Sequence, residues 1–399
     1  MVRWIDDNGP AQLADLERLV NVNSGTLNVA GVREVGAFFA EALQELGFDV
    51  HWVDLPAGMN RAGHLFARRR GTDGQRLLLI GHLDTVFPPE SPFQRFALAG
   101  QRATGPGVDD MKDGDLVILY ALRAVHREGL LDGRNITVAL MGDEEEPGAP
   151  PAVSRAALIE AARASDVALG FESGYDRSAT IGRRGASGWR LEVTARRGHS
   201  SRVLSDELGA GAAYELARIV DAMRQSLQGD PTLTINPSLL LAGSDLAFDE
   251  GESRGTAAGK VNVVADSAAA MGDLRFLSDA QGQAARETMQ AIVARSLPEA
   301  AASITFREFY PAMPPTEGNR RLLTLYSGIS EAVGAGPVQP KDPLTMGAAD
   351  ISWVAAYVDA LDGLGSWGGR NHSTEEYLDV PSLAVATKRA AIMIHRLTR

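Results

Sequence analysis

Cysteine is absent from the 399 residues, which excludes disulfides, thiolate metal sites and a cysteine nucleophile and leaves the compartment open. Excess positive charge is absent too. Lys and Arg number 39 against 51 Asp and Glu, a formal net charge of −12, whereas a nucleic-acid surface needs a basic stripe to neutralise phosphates. No apolar run approaches the roughly 20 residues of a membrane helix. The opening MVRWIDDNGP lacks the basic start and apolar centre of a secretory leader. The expected compartment is therefore the cytoplasm, or the periplasm behind a leader already removed. No Walker A string occurs, and no dinucleotide-binding turn or nucleophile elbow is read in the chain. Repeats and low-complexity tails are also missing.

What is present is ordinary globular patterning, 45% hydrophobic and 23% charged. At roughly 150 residues per domain the length fits two or three domains. Up to about residue 180, helical and strand periods alternate. Gln12 to Val20 and Val32 to Leu46 read as amphipathic helices, and LLLI (77–80), NITVALM (135–141) and DVALGF (166–171) as strands buried on both faces. That alternation predicts a doubly wound, mainly parallel α/β layer. From about 183 the register changes. Strands are expected over 188–197, 232–243, 268–278 and 303–310, and helices over 206–227 and 280–296. This βαββαβ unit has the size of a separate α+β domain. We read it as residues 183–311 inserted into a first domain of 1–182 and 312–399, with the Pro-rich PAMPP (311–315) as hinge and the polar stretch 244–260 as a long loop.

Five clusters carry chemistry, four of them near the end of an apolar strand. In GHLDTV, His82 and Asp84 lie two apart on an extended segment and point the same way. Asp84 can then hold the imidazole, as the partners of metal-bound histidines do, or the pair can simply cap a turn. In GPGVDDMKDG, Asp109 and Asp110 precede a helix, as N-caps or as a carboxylate between two cations. MGDEEEPG sets Asp143, Glu144, Glu145 and Glu146 after a buried strand. A run of acids is usually solvated, but clustered charge at a buried strand end is expensive unless cations neutralise it. Glu172 in LGFESG and His372 in GGRNHSTEEYLDV are weak signals alone. Together these side chains fall where ligands gather in open α/β sheets, outside the carboxyl ends of the strands. Carboxylates with two histidines and no thiolate suit a pair of Zn²⁺ ions, or Mn²⁺ or Co²⁺. The remaining histidines His51, His64, His126 and His395 lie outside every motif and are read as structural, Trp353 and Trp367 as packing, and Asp350 as a candidate pocket residue.

The series GHLDTV, GPGVDDMKDG, DEE, FES, RRGHSS and a late His resembles the M20 metallopeptidase family, in order and over essentially the whole chain. The resemblance implies that His82, Asp110 and Glu172 hold one metal, and Asp110, Glu145 and His372 the other. Glu144 is then the general base and Asp84 the orienter of His82. A cis peptide after Asp110 is implied as well. In the second domain, which looks like the family's lid or dimerisation domain, His199 resembles the histidine that stabilises the oxyanion in a partner subunit's site. Arg275 and Asn262 resemble contacts to the substrate carboxylate and other polar groups.

The expected activity is dinuclear zinc-dependent hydrolysis of the amide bond of an N-acyl amino acid or small peptide with a free C-terminal carboxylate, in a homodimer that binds neither nucleic acid nor membrane. DTVFP and FESG look most like the glutamate carboxypeptidase branch. The alternatives are an aminoacylase or deacylase of N-acetyl, N-succinyl or long-chain N-acyl amino acids, a dipeptidase, or a metal-dependent binding module without catalysis.

Overall fold

A computed structural model describes residues 1–249 and 253–399. In chain order, the elements that matter here begin with helices α1 (Val2–Val20) and α2 (Val29–Glu45). Strands β1 (Asp49–Val53), β2 (His64–Arg69) and β3 (Asp73–His82) follow, then α3 (Lys112–Arg127), β4 (Arg134–Met141) and β5 (Val167–Gly170). Next come β6 (Gly185–Ala195), α4 (Ala212–Leu227), β7 (Thr234–Gly243), β8 (Asp245–Asp249), β9 (Arg254–Ala258), β10 (Ser267–Phe276), α5 (Asp279–Val293) and β11 (Ala300–Tyr310). The chain closes with α6 (Glu317–Ala332), β12 (Asp359–Leu361) and α7 (Val380–Thr398).

Two compact units result: Met1–Gly182 with Pro315–Arg399, and Arg183–Pro314. The first holds a six-stranded sheet in the order β1-β2-β4-β3-β5-β12. Its four strands from β4 to β12 are parallel, and β1 and β2 form an antiparallel edge. Leu77, Leu78 and Leu79 on β3 and Ala168 and Leu169 on β5 are all at most 1% exposed, as strands covered on both faces require. Helix α3 is buried almost all round, Lys112, Asp113 and Asp115 of its first turn included.

The second unit is a four-stranded antiparallel sheet, β7-β10-β6-β11, with α4 and α5 packed into a core of its own around Trp189, Leu191, Ile219 and Met289.

Three expectations need correction. Helix α1 starts at Val2 and runs through Pro10, because burial of Ile5 outweighs the local breaker signal of Asn8-Gly9-Pro10. Helix α4 starts at Ala212 rather than 206, after Gly211 at φ +83°. The stretch 244–260 is no open loop: β8 and β9 pair as an antiparallel hairpin, with Phe248 lying under the Arg190 guanidinium. Its residues 250–252 lie outside the described part of the chain.

Candidate metal centre

Parallel strands deliver their C-terminal ends to one edge. β3 ends at His82, β4 at Met141 and β5 at Gly170, so Asp84, Glu144, Glu145 and Glu172 leave the sheet side by side. Asp110 enters from the turn before α3. His372 comes from the loop after β12, where it holds a left-handed φ of +62°, a conformation of a non-glycine residue that must be held by its surroundings. The Asp110–Met111 peptide is cis.

Asp110 sits between two imidazoles. Its Oδ1 is 3.2 Å from His82 Nε2 and its Oδ2 is 3.1 Å from His372 Nε2. Glu172 Oε1 lies 3.8 Å from His82 Nε2, and Glu145 Oε2 lies 3.2 Å from His372 Nε2. Two groups of donors follow, His82, Asp110 and Glu172, and Asp110, Glu145 and His372, each with its ligand atoms within 4.8 Å of one another. Glu145 Oε1 is buried without a hydrogen-bond partner, an orphaned acceptor that a cation would satisfy. Imidazole and carboxylate donors in this number fit two divalent ions of the Zn²⁺, Mn²⁺ or Co²⁺ type.

The electrostatics are those of ligands facing one another. His372 is pushed up to about 11 by its hydrogen bonds to Asp110 and Glu145. Burial pulls the His82 imidazole down, but Glu172, Asp110 and Asp84 outweigh it and hold it well above the usual histidine range. Burial likewise pushes Asp110 up, and the two imidazoles more than reverse that. Glu144, which belongs to neither group of donors, is driven well above the usual carboxylate range by burial first and then by the Glu172 charge. An upward shift is the direction that general acid–base work by a carboxyl requires.

Asp84 faces His82 and also ties down the neighbouring turn. His82 Nδ1 lies 3.1 Å from the Asp84 backbone carbonyl and 3.5 Å from its carboxylate. A carbonyl only accepts, so Nδ1 carries a proton, and Nε2 is the ring nitrogen turned toward Asp110 and Glu172. The Asp84 carboxylate also accepts from the Glu144 and Glu145 backbone N–H groups, at 3.0 and 3.2 Å, and from the Thr26 hydroxyl at 2.6 Å. It thereby fixes the two adjacent glutamates relative to β3.

A second brace was not legible in the sequence. Arg155, fully buried, donates to Asp143 Oδ1 and to Asp350 Oδ1, each at 2.5 Å. Asp350 is therefore an internal ion-pair partner rather than a pocket residue. His64 is structural: its Nδ1 accepts from Gly142 N–H and its Nε2 donates to the Ser154 carbonyl. Beside Glu145 a cavity of about 280 Å³ is lined by Gly25, Leu27, Val86 and Pro88.

The second unit holds the other three candidates. His199 Nδ1 accepts from Ser201 N–H at 3.2 Å, which leaves the proton on Nε2. Asn262 is exposed in a turn whose carbonyl accepts from Ser200 N–H, next to the pairing of His199 with Val263. Arg275 Nε donates to Asp273 at 2.8 Å, a half-exposed ion pair on β10. Two strings have the spacing of other chemistries, GLGSWG (363–368) and GESRG (251–255). The first leads into a short strand at Gly368–Gly369 and the second into β9, whereas dinucleotide-binding turns and nucleophile elbows both open a helix.

A doubly wound α/β sheet carrying two imidazoles and three carboxylates at one edge is a candidate centre for divalent metal ions. The chain belongs to the family described as Peptidase family M20/M25/M40, whose profile matches residues 78–396, and members of that family act on peptide or amide C–N bonds. Carboxypeptidase G2 of Pseudomonas sp. (strain RS-16) is 28% identical over 397 residues, covering 97% of this chain and 89% of that protein. Succinyl-diaminopimelate desuccinylase of Gluconacetobacter diazotrophicus is 26% identical over 369 residues, covering 89% and 90%. Among solved structures, aminopeptidase PepT from Bacillus cereus superposes with a TM-score of 0.74 at 16% identity, covering 98% of this chain and 99% of that one. The Bacillus subtilis YXEP protein, described as a dinuclear metal binding peptidase from the M20 family, gives 0.66 at 13% identity with 98% and 99% coverage. Likeness at these identities speaks to the fold. Among the described residues no helix is long and apolar enough to cross a membrane.

Proposed function

We propose that the chain is a dinuclear zinc amidohydrolase that releases an amino acid from an N-acyl amino acid or small peptide with a free C-terminal carboxylate, most like a glutamate carboxypeptidase. The observation that carries this is the Asp110 carboxylate between two imidazoles, each imidazole with a further carboxylate of its own. In this reading His82, Asp110 and Glu172 hold one ion, and Asp110, Glu145 and His372 the other. When bound, such a pair lowers the pKa of water and polarises a carbonyl.

The chain's own residues do the rest. Glu144 Oε takes the proton of the attacking water and returns it to the leaving amine nitrogen, which explains why a glutamate beside a ligand is itself no ligand. Asp84 keeps Glu144 and Glu145 in place through their backbone N–H groups. His199, with its proton on Nε2, is proposed to donate to the carbonyl oxygen as charge develops. Arg275 and Asn262 are proposed to grip the substrate carboxylate and a neighbouring polar group. The second unit is proposed to serve as lid and dimerisation domain of a homodimer, in the cytoplasm or, behind a removed leader, in the periplasm.

The full-length likeness to carboxypeptidase G2 supports a carboxypeptidase. The likeness to succinyl-diaminopimelate desuccinylases supports the second reading, a deacylase of N-acyl amino acids. Assaying N-acyl-glutamate, N-succinyl and N-acetyl amino acids and plain dipeptides side by side separates the two. Release of a C-terminal amino acid from the first and not from N-succinyl substrates is the expected result, and the reverse ranking replaces the carboxypeptidase by the deacylase.

A further inference from the structure

Glu376 lies four residues beyond His372 and is 1% exposed. Its carboxylate meets three backbone N–H groups of the turn that carries Asp110. Oε2 accepts from Gly107 at 3.1 Å, and Oε1 accepts from Asp109 at 2.9 Å and from Asp110 at 3.1 Å. Its neighbour Glu375 is exposed and pairs with Arg370 on the surface. Two more bonds close the arrangement: Asn371 donates to the Ser173 hydroxyl at 2.6 Å, and that hydroxyl donates to the Asp109 carbonyl at 2.8 Å. The segments 107–110, 172–173 and 371–376 are thus laced together, and each carries one candidate ligand: Asp110, Glu172 or His372.

We infer that Glu376 is a positioning residue of the metal centre. It holds the Asp110 turn against the His372 segment, so that these two ligands already face each other before an ion arrives. A carboxylate accepts at both oxygens, as all three of these bonds require, whereas an amide accepts at one. Pre-set ligands spare the entropy of ordering two loops on binding. The group Asp110, Glu145 and His372 depends on this tie through two of its ligands, whereas the group His82, Asp110 and Glu172 depends on it through one. Loss of Glu376 therefore weakens the first group more than the second. This inference rests on the dinuclear reading proposed above.

The test is a zinc titration of the metal-free full-length chain under chelator competition, with the two dissociation constants assigned by H372A and E172Q, each of which removes a ligand from one group only. E376Q keeps the size of the side chain but turns an amide N–H₂ toward at least one backbone N–H. It is expected to weaken the His372 group by about 10–100-fold, the range for residues that support metal ligands. The Glu172 group should change less, and the melting temperature of the metal-free protein should fall by only a few degrees, the cost of one unpaired buried N–H. E375Q should change neither constant. Wild-type constants in E376Q overturn the inference. So does an equal loss at both groups accompanied by a larger fall in the metal-free melting temperature, which marks a merely structural role.

If E376Q does not fold, amide hydrogen exchange of the metal-free wild type decides. Gly107, Asp109 and Asp110 should be protected before metal is added, and exchange at unfolded-chain rates contradicts the tie. A wild-type chain that binds fewer than two ions counts against the dinuclear reading and leaves the exchange result to judge the tie alone.

Discussion

At the scale of single residues, adjacent acids of the same type face different partners. Glu145 faces His372 while Glu144 does not belong to either donor group. Replacing Glu144 by Gln should lower kcat by about 10²–10⁴-fold, the usual size of general acid–base assistance, with metal content by elemental analysis unchanged; retained turnover rules Glu144 out as the base. His372 yields a pH prediction. Because its pKa is pushed up to about 11, it is protonated at neutral pH in the metal-free protein and must lose that proton to bind an ion. Zinc affinity should therefore rise with pH, and calorimetry in buffers of different ionisation enthalpy should show proton release on binding. The linkage to stability has the opposite sign. A raised histidine pKa stabilises the metal-free fold below the usual value of 6.5, and that stabilisation is lost as pH climbs toward 11. Absence of proton release contradicts the facing of His372 by Asp110 and Glu145. In sequence, His82 was legible at the end of a strongly patterned strand, whereas Asp110, as against Asp109, and Glu172 stood out only through the resemblance to the M20 family. Glu376 was not legible, since HSTEEY gives no sign that one glutamate is solvated and the next buried on backbone N–H groups. Nor was the second use of Asp84, its carboxylate accepting from the Glu144 and Glu145 N–H groups, because the H-x-D spacing speaks only to the imidazole.

At the scale of elements, the centre is as firm as the turns that leave the strands. The Glu144–Glu145 turn is held from one side by the Asp84 carboxylate and from the other by Arg155 gripping Asp143 and Asp350. Removing one member of a buried ion-pair network leaves an uncompensated charge. Arg155→Ala should therefore cost about 3–5 kcal/mol, read as a lower denaturant midpoint, with a fall in kcat from the displaced turn. A change below about 1 kcal/mol would mean that the network does not support the turn. Strands β3, β4 and β5 were readable because continuous apolar runs mark strands buried on both faces. The hairpin β8–β9 was not. Its signal is two apolar side chains, Leu246 and Phe248, alternating with exposed residues inside a stretch whose Gly, Ser and acidic content reads as a loop. The start of α1 was hidden similarly, since packing of Ile5 decided against the Gly9-Pro10 breaker.

At the scale of the whole molecule, all five candidate ligands belong to the unit Met1–Gly182 with Pro315–Arg399, and the second unit has its own core. A ligand that binds only the native state stabilises what it binds. Calorimetry should thus show two transitions, of which only the larger unit's moves down on chelation. An equal shift of both would place metal contacts in the second unit as well. Its assignment as dimerisation domain predicts a dimer by sedimentation, with the smaller unit's transition falling on dilution; a monomer at all concentrations removes that role and leaves His199 without a partner subunit to serve. The central claim is a dinuclear hydrolytic centre, and one measurement tests it most directly: elemental analysis of the purified chain coupled to hydrolysis of N-acyl amino acids by the same sample. Two zinc ions per chain, with release of the C-terminal amino acid that stops on chelation and returns with added zinc, is the predicted result. A chain that takes up no metal after exposure to zinc, manganese and cobalt, or one that hydrolyses these amides equally well without metal, contradicts it.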